Sequence, residues 1–197
     1  MGVLLHSLRG VYILTPRNMV HAAGMYNTML QSKEPAVLIE CLNGYRLKEK
    51  LPDNLMEFTV PLGVVETLTE GEDITIVSYG STCNLALQAV KQLQEVGIAA
   101  ELIDVRTLLP FDIKHDIVKS LEKTNKLLIV DEDVPGGATA FMFQQVMEKQ
   151  GGYRHLDVAP RTIAARAHRP AYGTDGDYFS KPNAEDIAAV IEDMMAE

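Results

Sequence analysis

Residues 100–112 read AELIDVRTLLPFD. The run opens as a strand with an apolar centre, Leu102-Ile103 and then Val105. It ends in a turn at Pro110, and Asp112 is placed to cap a following helix. Asp104 and Arg106 stand where a parallel strand gives out, the edge at which open α/β sheets carry function.

Strand–helix units extend from this run in both directions. Upstream, residues 74–79 (ITIVSY) are a strand, and Gly80-Ser81-Thr82 is a tight turn whose Ser81 or Thr82 caps a helix. That helix keeps a helical period through Leu85, Ala86, Ala89, Val90 and Leu93, and Gly97 ends it. Downstream, a helix is expected over about 112–123 and a strand over 127–130 (LLIV). Then follow Asp131-Glu132-Asp133, Pro135-Gly136-Gly137 and a helix over about 138–149. Residues 162–165 are a weaker strand. Asn183 or Glu185 opens a last amphipathic helix through Ile187, Val190, Ile191 and Met194. The alternation predicts an α/β fold: three layers around a mostly parallel five-stranded sheet with right-handed crossovers. Residues 61–197 form this domain.

Ahead of it lies a different piece. Residues 11–14 (VYIL) are a short strand closed by Thr15-Pro16, Asn18 caps a helix running to about Gln31, and residues 36–40 are a second strand. A strand–helix–strand unit lacks the neighbours that such a sheet needs, so residues 1–46 are expected to be the remnant of another domain. Residues 47–60, punctuated by Pro52, Asp53 and Asn54, read as a linker.

The chain has 197 residues and a formal net charge of −9, which argues against a nucleic-acid surface. No apolar run approaches the roughly 18 residues that span a bilayer, so no membrane partner is expected. Cys41 and Cys83 have no metal-ligand spacing and fit a reduced, cytoplasmic setting with buried thiols.

Several residue groups could carry chemistry. Gly80-Ser81-Thr82 lacks the Lys of a P-loop and the spacing of a dinucleotide fingerprint, so ordinary capping is the better reading. Asp131, Glu132 and Asp133 could hold a hard cation, but alternation turns Glu132 away from the other two, which favours capping and interface roles for Glu132. His21 and His115 read as surface residues of helices. His168-Arg169-Pro170-Ala171-Tyr172 reads equally as a loop cation balancing an acidic chain or as an interface. Arg46, after Tyr45, suits a carboxylate or phosphate and otherwise an inter-domain salt bridge. Asp104 and Arg106 read as an ion pair or a turn-bracing pair. By themselves these residues describe an α/β domain of interaction type without a self-contained active site.

The ordered string Pro61-Leu62-Gly63, residues 70–80 (EGEDITIVSYG) and residues 101–112 (ELIDVRTLLPFD) resembles the beta subunit of the thiamine-diphosphate-dependent component of 2-oxo acid dehydrogenase complexes. The resemblance continues through Ser120, Lys123-Thr124, residues 127–132 and Gly136-Gly137, and into residues 10–17, 35–40 and Tyr45-Arg46. Pro16-Arg17 and Tyr45-Arg46 are most similar to the branched-chain, 2-oxoisovalerate type. The resemblance implies that residues 61–197 are a transketolase-type C-terminal domain and that residues 1–46 end a pyrimidine-binding domain. It implies a parent enzyme, an oxidoreductase of branched-chain amino acid catabolism, using thiamine diphosphate and magnesium, with oxidative decarboxylation of a 2-oxo acid and acyl transfer to a lipoyl group.

Within that picture the catalytic histidine and the activating glutamate lie outside this chain, and His6-Ser7 only mimics the family's His-Ser motif. Tyr45, Arg46, Glu132 and His168 become substrate-channel or interface residues. A monovalent-cation site, for potassium, falls on Met29, Ser32 and Glu34, where Ser32 and Glu34 replace the family's usual Asp and Asn. Partners implied are an alpha subunit or fused alpha half, a second beta chain in a dimer, and a dihydrolipoyl acyltransferase core. The chain alone is expected to be inactive and to bind no thiamine diphosphate. Two rivals remain: a C-terminal part of transketolase or deoxyxylulose-phosphate synthase, for whose sugar phosphates Arg46 and His168 are the candidates, and a non-catalytic α/β interaction module.

Overall fold

The computed structural model describes residues 1–169, 172 and 176–197. In chain order the elements are α1 (Gly2–Ser7), β1 (Tyr12–Leu14), α2 (Met19–Leu30), β2 (Ala36–Leu38), β3 (Glu66–Thr69), β4 (Ile74–Ser78), α3 (Thr82–Glu95) and β5 (Ala100–Asp104). They continue with β6 (Thr107–Leu109), α4 (Asp116–Thr124), β7 (Leu127–Val130), α5 (Ala138–Gln144), β8 (Arg161–Ile163), α6 (Gly176–Ser180) and α7 (Ala184–Met195). A π-helical turn over Gln145–Lys149 prolongs α5. Among the described residues, no helix is long and apolar enough to cross a membrane.

The main sheet has five strands in the order β3-β5-β4-β7-β8, parallel except for β3, which pairs antiparallel with β5. The run Leu127–Val130 explains why both faces are covered. Leu127 and Ile129 pack with Ile117, Leu121 and Met142 on one side, while Leu128 and Val130 pack with Leu93, Ile187 and Ile191 on the other. Successive strand side chains point to opposite faces, so a continuous apolar run needs an apolar layer on each. Helix ends follow local chemistry. The Asn18 and Asn183 side chains accept the backbone N–H of His21 and Asp186 at 2.8 Å each. Gly97, at φ +84°, closes α3 while Ile98 N–H reaches back to the Leu93 carbonyl at 2.9 Å.

Two helix starts differ from expectation. Ser81 stands at the N-cap of α3 but makes no side-chain capping bond, because its backbone is already helical. Helix α4 begins at Asp116 rather than Asp112. Asp112 still serves its free end, accepting N–H groups of Asp116 and Ile117 at 3.0 Å each.

The run 100–112 belongs to two sheets. β5 lies inside the main sheet, and β6 pairs antiparallel with β1 in a second sheet of order β2-β1-β6, where β1 and β2 are parallel. The change of sheet occurs at Arg106, whose φ of +61° is the left-handed conformation that turns the chain sharply. Residues 47–60 contain no strand or α-helix but lie along α2. Asn27 Nδ2 donates to the Leu55 and Phe58 carbonyls at 2.8 Å each, and Thr28 Oγ1 donates to the Val60 carbonyl at 2.7 Å.

Candidate functional site

Two groups of polar residues form where the sheets meet. The first is buried. Asp104, at the end of β5 and fully buried, accepts from Arg17 Nη1 at 2.7 Å and from the backbone N–H of Arg106 at 3.0 Å. Glu66 on β3 receives Arg17 Nη1 at 3.2 Å and lies 3.5 Å from His21 Nε2 and 3.8 Å from Arg106 Nη1. Arg106 turns its fork outward from Asp104, with Nε and Nη2 donating to the Val64 carbonyl at 2.9 and 2.6 Å. Its own carbonyl takes the N–H and Oγ1 of Thr15 at 2.8 and 3.0 Å. Arg17 and His21 come from the N-terminal piece, and Glu66, Asp104 and Arg106 from the main domain. The network therefore ties the two together.

Burial sets the protonation of this network. It pushes the Asp104 carboxyl up to about 6, even though Arg17 and the Arg106 N–H favour its charged form. It also holds His21 below the ordinary histidine value, helped by the Arg17 guanidinium and opposed by Glu66. His21, Glu66 and Asp104 each offer an atom within 4.8 Å of the others, a spacing that a metal ion could bridge. Arg17 occupies that role instead, since one guanidinium nitrogen already touches both carboxylates. With that cation in place, a divalent ion would face like-charge repulsion at the same carboxylates.

A pH dependence follows. Because Asp104 binds its proton more tightly in the folded chain than unfolded, the proton-linked part of its contribution to stability is full below about pH 4 and is lost as pH rises through 6, while its acceptor contacts to Arg17 and Arg106 persist. The expected loss is on the order of 2–3 kcal/mol. Other groups titrate in the same window, so the measurement is the difference between the wild type and Asp104→Asn in urea unfolding at pH 4.5 and pH 7.5. A difference that does not change between the two pH values would refute the assignment.

The second group lines a cleft of about 650 Å³ at the carboxyl ends of β1, β2, β4 and β7. Thr15, Glu40, Cys41, Tyr79, Ser81, Glu132, Asp133 and Lys181 face it. Glu132 pairs with Lys181 Nζ at 3.1 Å, and Asp177 lies 3.7 Å from the same nitrogen. Asp131, one residue away, is fully buried, and burial raises its carboxyl above the usual carboxylate range although the neighbouring Tyr79 phenol favours its charged form. Burial likewise raises the Cys41 thiol, making it a poor nucleophile.

The sequence candidates scatter. Glu132 does line the cleft, but it pairs with Lys181 and does not cap α5, whose N-cap position is Gly137. Tyr45 is exposed at the rim with its hydroxyl on Glu40, a carboxylate that also accepts from Tyr26 at 2.8 Å. Arg46 is exposed and, among the described residues, makes no ion pair. His168 is exposed, with Nδ1 2.9 Å from the Arg169 carbonyl, while Pro170 and Ala171 lie outside the described residues. At the potassium position the turn uses its own oxygens: the Met29 carbonyl accepts Ser32 N–H at 3.0 Å, and Ser32 Oγ accepts Glu34 N–H at 3.1 Å. Asp104 and Arg106 brace the turn as read, but the ion partner of Asp104 is Arg17. His115 is exposed just ahead of α4. His21 is a correction: it is buried at the junction rather than on the surface, because its side of α2 faces β3. Arg17 and Glu66 were not singled out by their local sequence, since only the approach of the two sheets gives them partners.

Residues 63–187 match the family described as transketolase, C-terminal domain. The beta subunit of the acetoin:2,6-dichlorophenolindophenol oxidoreductase of Bacillus subtilis (strain 168) is 34% identical over 167 residues, covering 85% of this chain and 47% of its own length. Pyruvate dehydrogenase E1 component subunit beta of Acholeplasma laidlawii is 32% identical over 192 residues, covering 96% and 57%. The 2-oxoisovalerate dehydrogenase subunit beta of Bacillus subtilis (strain 168) is 34% identical over 130 residues, covering 66% and 39%. The chain thus spans about half the length of the curated relatives it matches. A solved split-gene transketolase, an inactive beta4 tetramer, shares the fold with a TM-score of 0.76 at 19% identity, over 99% of this chain and 60% of that one.

Proposed function

Because the chain belongs to the transketolase C-terminal domain family, we propose that it is part of a beta-type chain of a thiamine-diphosphate-dependent 2-oxo acid dehydrogenase. The observation that carries this reading is the extent of the beta-subunit match. It runs through 96% of the chain, including the strand–helix–strand piece ahead of residue 63, at 32% identity. The transketolase structures resemble it at 16–19% identity, a likeness of fold alone.

In such an enzyme the cofactor carries the electron-sink chemistry of decarboxylation, and the acyl group passes to a lipoyl group. The cleft at the strand ends does not fit a diphosphate. Its lining includes Glu40, Glu132, Asp133 and Asp177, and the ammonium of Lys181 is already engaged by two of these carboxylates. We therefore assign cofactor and magnesium binding to the remainder of the enzyme: the rest of the pyrimidine-binding domain that the beta-subunit likeness implies, together with an alpha subunit or fused alpha half. This chain serves assembly with a second beta chain and docking of the acyltransferase core, in the cytoplasm. A potassium ion at Met29, Ser32 and Glu34 would need ligands from that remainder as well.

For the substrate we favour 2-oxoisovalerate, on Tyr45-Arg46 and the likeness to a 2-oxoisovalerate dehydrogenase subunit. Pyruvate is the second reading, because pyruvate dehydrogenase beta subunits align over more of the chain. Two measurements decide. The isolated chain should show no saturable thiamine diphosphate binding up to about 1 mM by calorimetry, and tight binding would overturn the division of labour. The assembled enzyme, given branched 2-oxo acids, pyruvate and sugar phosphates in parallel, should turn over a 2-oxo acid. Turnover of sugar phosphates alone would return the chain to the transketolases.

A further inference from the structure

Among the described residues, the main sheet ends at β8 with an open edge. Ile163 offers its carbonyl to Asp131 N–H at 3.0 Å, and Ala165 N–H reaches the Asp133 carbonyl at 2.8 Å, so the odd-numbered residues face β7. Backbone alternation then turns the N–H groups of Thr162 and Ala164, and the carbonyls of Pro160, Thr162 and Ala164, away from the sheet. Among the described residues, none of these groups has a hydrogen-bond partner. A charged side chain is the usual protection of such an edge. Arg161 does not give it, being drawn to Asp193 and Glu197 at the end of α7.

The helix layers leave space on both faces of this edge. On the α5 side runs a groove of about 1080 Å³, in which Leu5, Ala140 and Phe143 supply apolar wall and Arg9, Gln144 and Glu148 supply polar groups. On the α7 side a smaller one, about 330 Å³, is walled by Ile163, Ala189 and Val190, with Arg166 and Asp186 at hand. Thr162 and Ala164 border the larger groove, while Ile163 packs with the α7-side core. An added strand would therefore alternate its side chains between a roomy apolar groove and a tight one. Charge narrows the choice further. α7 carries Glu185, Asp186, Glu192 and Asp193, with Glu197 following, and among the described residues only Asp193 and Glu197 meet a cation.

We propose that the β8 edge is a docking site for an extended protein segment that adds a sixth strand. The segment places large apolar side chains on the α5 side, small ones on the α7 side, and basic residues at its ends. Main-chain hydrogen bonds supply affinity and the two unequal grooves supply selectivity, as in other strand-addition complexes. The proposal does not depend on the reaction of the parent enzyme.

The test uses the full chain and a short synthetic peptide with phenylalanine at alternate central positions, alanine between them and lysine at both ends. Two further peptides carry N-methyl groups, one on each alternate set of central nitrogens. Binding followed by fluorescence anisotropy should survive one methylation pattern and weaken at least about tenfold with the other, because only alternate N–H groups face the edge. Ala140→Trp, on the exposed face of α5, should fill the larger groove and weaken binding about as much, and Thr162→Pro should do so by removing the central donor. Ala140→Trp lies outside the sheet, so it remains informative if Thr162→Pro fails to fold. Equal loss with both methylation patterns, or binding unaffected by Ala140→Trp, would refute strand addition. So would absence of binding at about 1 mM. Concentration-dependent dimerisation that protects the Thr162 and Ala164 amides from exchange would assign the edge to a second copy and overturn the peptide reading.

Discussion

Asp104→Ala is expected to lower folding stability by about 3 kcal/mol at neutral pH. The fully buried carboxylate ends β5 and holds both Arg17 Nη1, at 2.7 Å, and the backbone N–H of Arg106, at 3.0 Å. Alanine removes both acceptors at once. The Arg106 N–H loses its partner at the residue whose φ of +61° redirects the chain between the sheets, and Arg17 is left with Glu66 alone at 3.2 Å. Removing one member of a buried pair commonly costs about 3–5 kcal/mol. The remaining Glu66 contact places this case at the low end.

Asp104→Asn should behave differently. It keeps an acceptor for the Arg106 N–H but turns its amide NH2 toward Arg17 Nη1, so at neutral pH its cost should fall between wild type and the Ala variant, at about 1–2 kcal/mol. The contrast follows from the raised carboxyl: the folded chain already prefers the neutral form until about pH 6. Urea unfolding of the three proteins measures the difference. An Ala variant within about 1 kcal/mol of wild type would mean that the network is not what joins the N-terminal piece to the domain. Arg17→Met in the Ala background should recover part of the loss by removing the poorly paired cation, which a purely cavity-based cost would not show.

How the sequence conveyed this structure depends on how local each signal is. Leu127–Val130 was legible to the residue because a buried parallel strand needs an unbroken apolar run. Asn18, Gly97 and Asn183 were legible because a cap or a stop acts on neighbours within one helical turn. β3, with the sequence ETLT, was not read: three of its four residues are polar, and its pairing is supplied by β5. The division of residues 100–112 between two sheets was also hidden. The apolar pattern continues from β5 through β6, and only the position of β1 draws Thr107–Leu109 away. For the same reason Asp104 and Arg106 looked like partners of each other. Their true partners, Arg17 and Glu66, lie on segments that adjoin them only in space. The assembly role proposed for the chain was legible chiefly as resemblance, since no side-chain spacing encodes it.

Gly71→Ala is expected to cost about 3 kcal/mol, for a reason of space rather than backbone freedom. Gly71 is buried in the turn between β3 and β4, pressed against the start of β5. A methyl group there would sit 2.4 Å from the Ala100 carbonyl carbon, 2.4 Å from the Ala99 carbonyl oxygen and 2.5 Å from Glu101 N. All three are main-chain atoms of the strand that carries Asp104, so no side chain can rotate to make room. Nor can the turn swing out cheaply. Glu72 and Asp73 N–H groups bond the Ala99 carbonyl at 3.1 and 3.0 Å, and Asp73 Oδ2 accepts Ala99 N–H at 2.7 Å. Relief requires lifting the turn from β5, and Glu66 would move with β3, loosening the contacts to Arg17 and Arg106. Gly97→Ala is the control. Its φ of +84° makes alanine strained, yet nothing lies within 4 Å of the added methyl, so about 1 kcal/mol is expected. Thermal unfolding of both variants separates the two causes. If Gly71→Ala were no more destabilising than Gly97→Ala, the turn would be shown to have slack, and the fixed seating of β3 against β5 would be wrong.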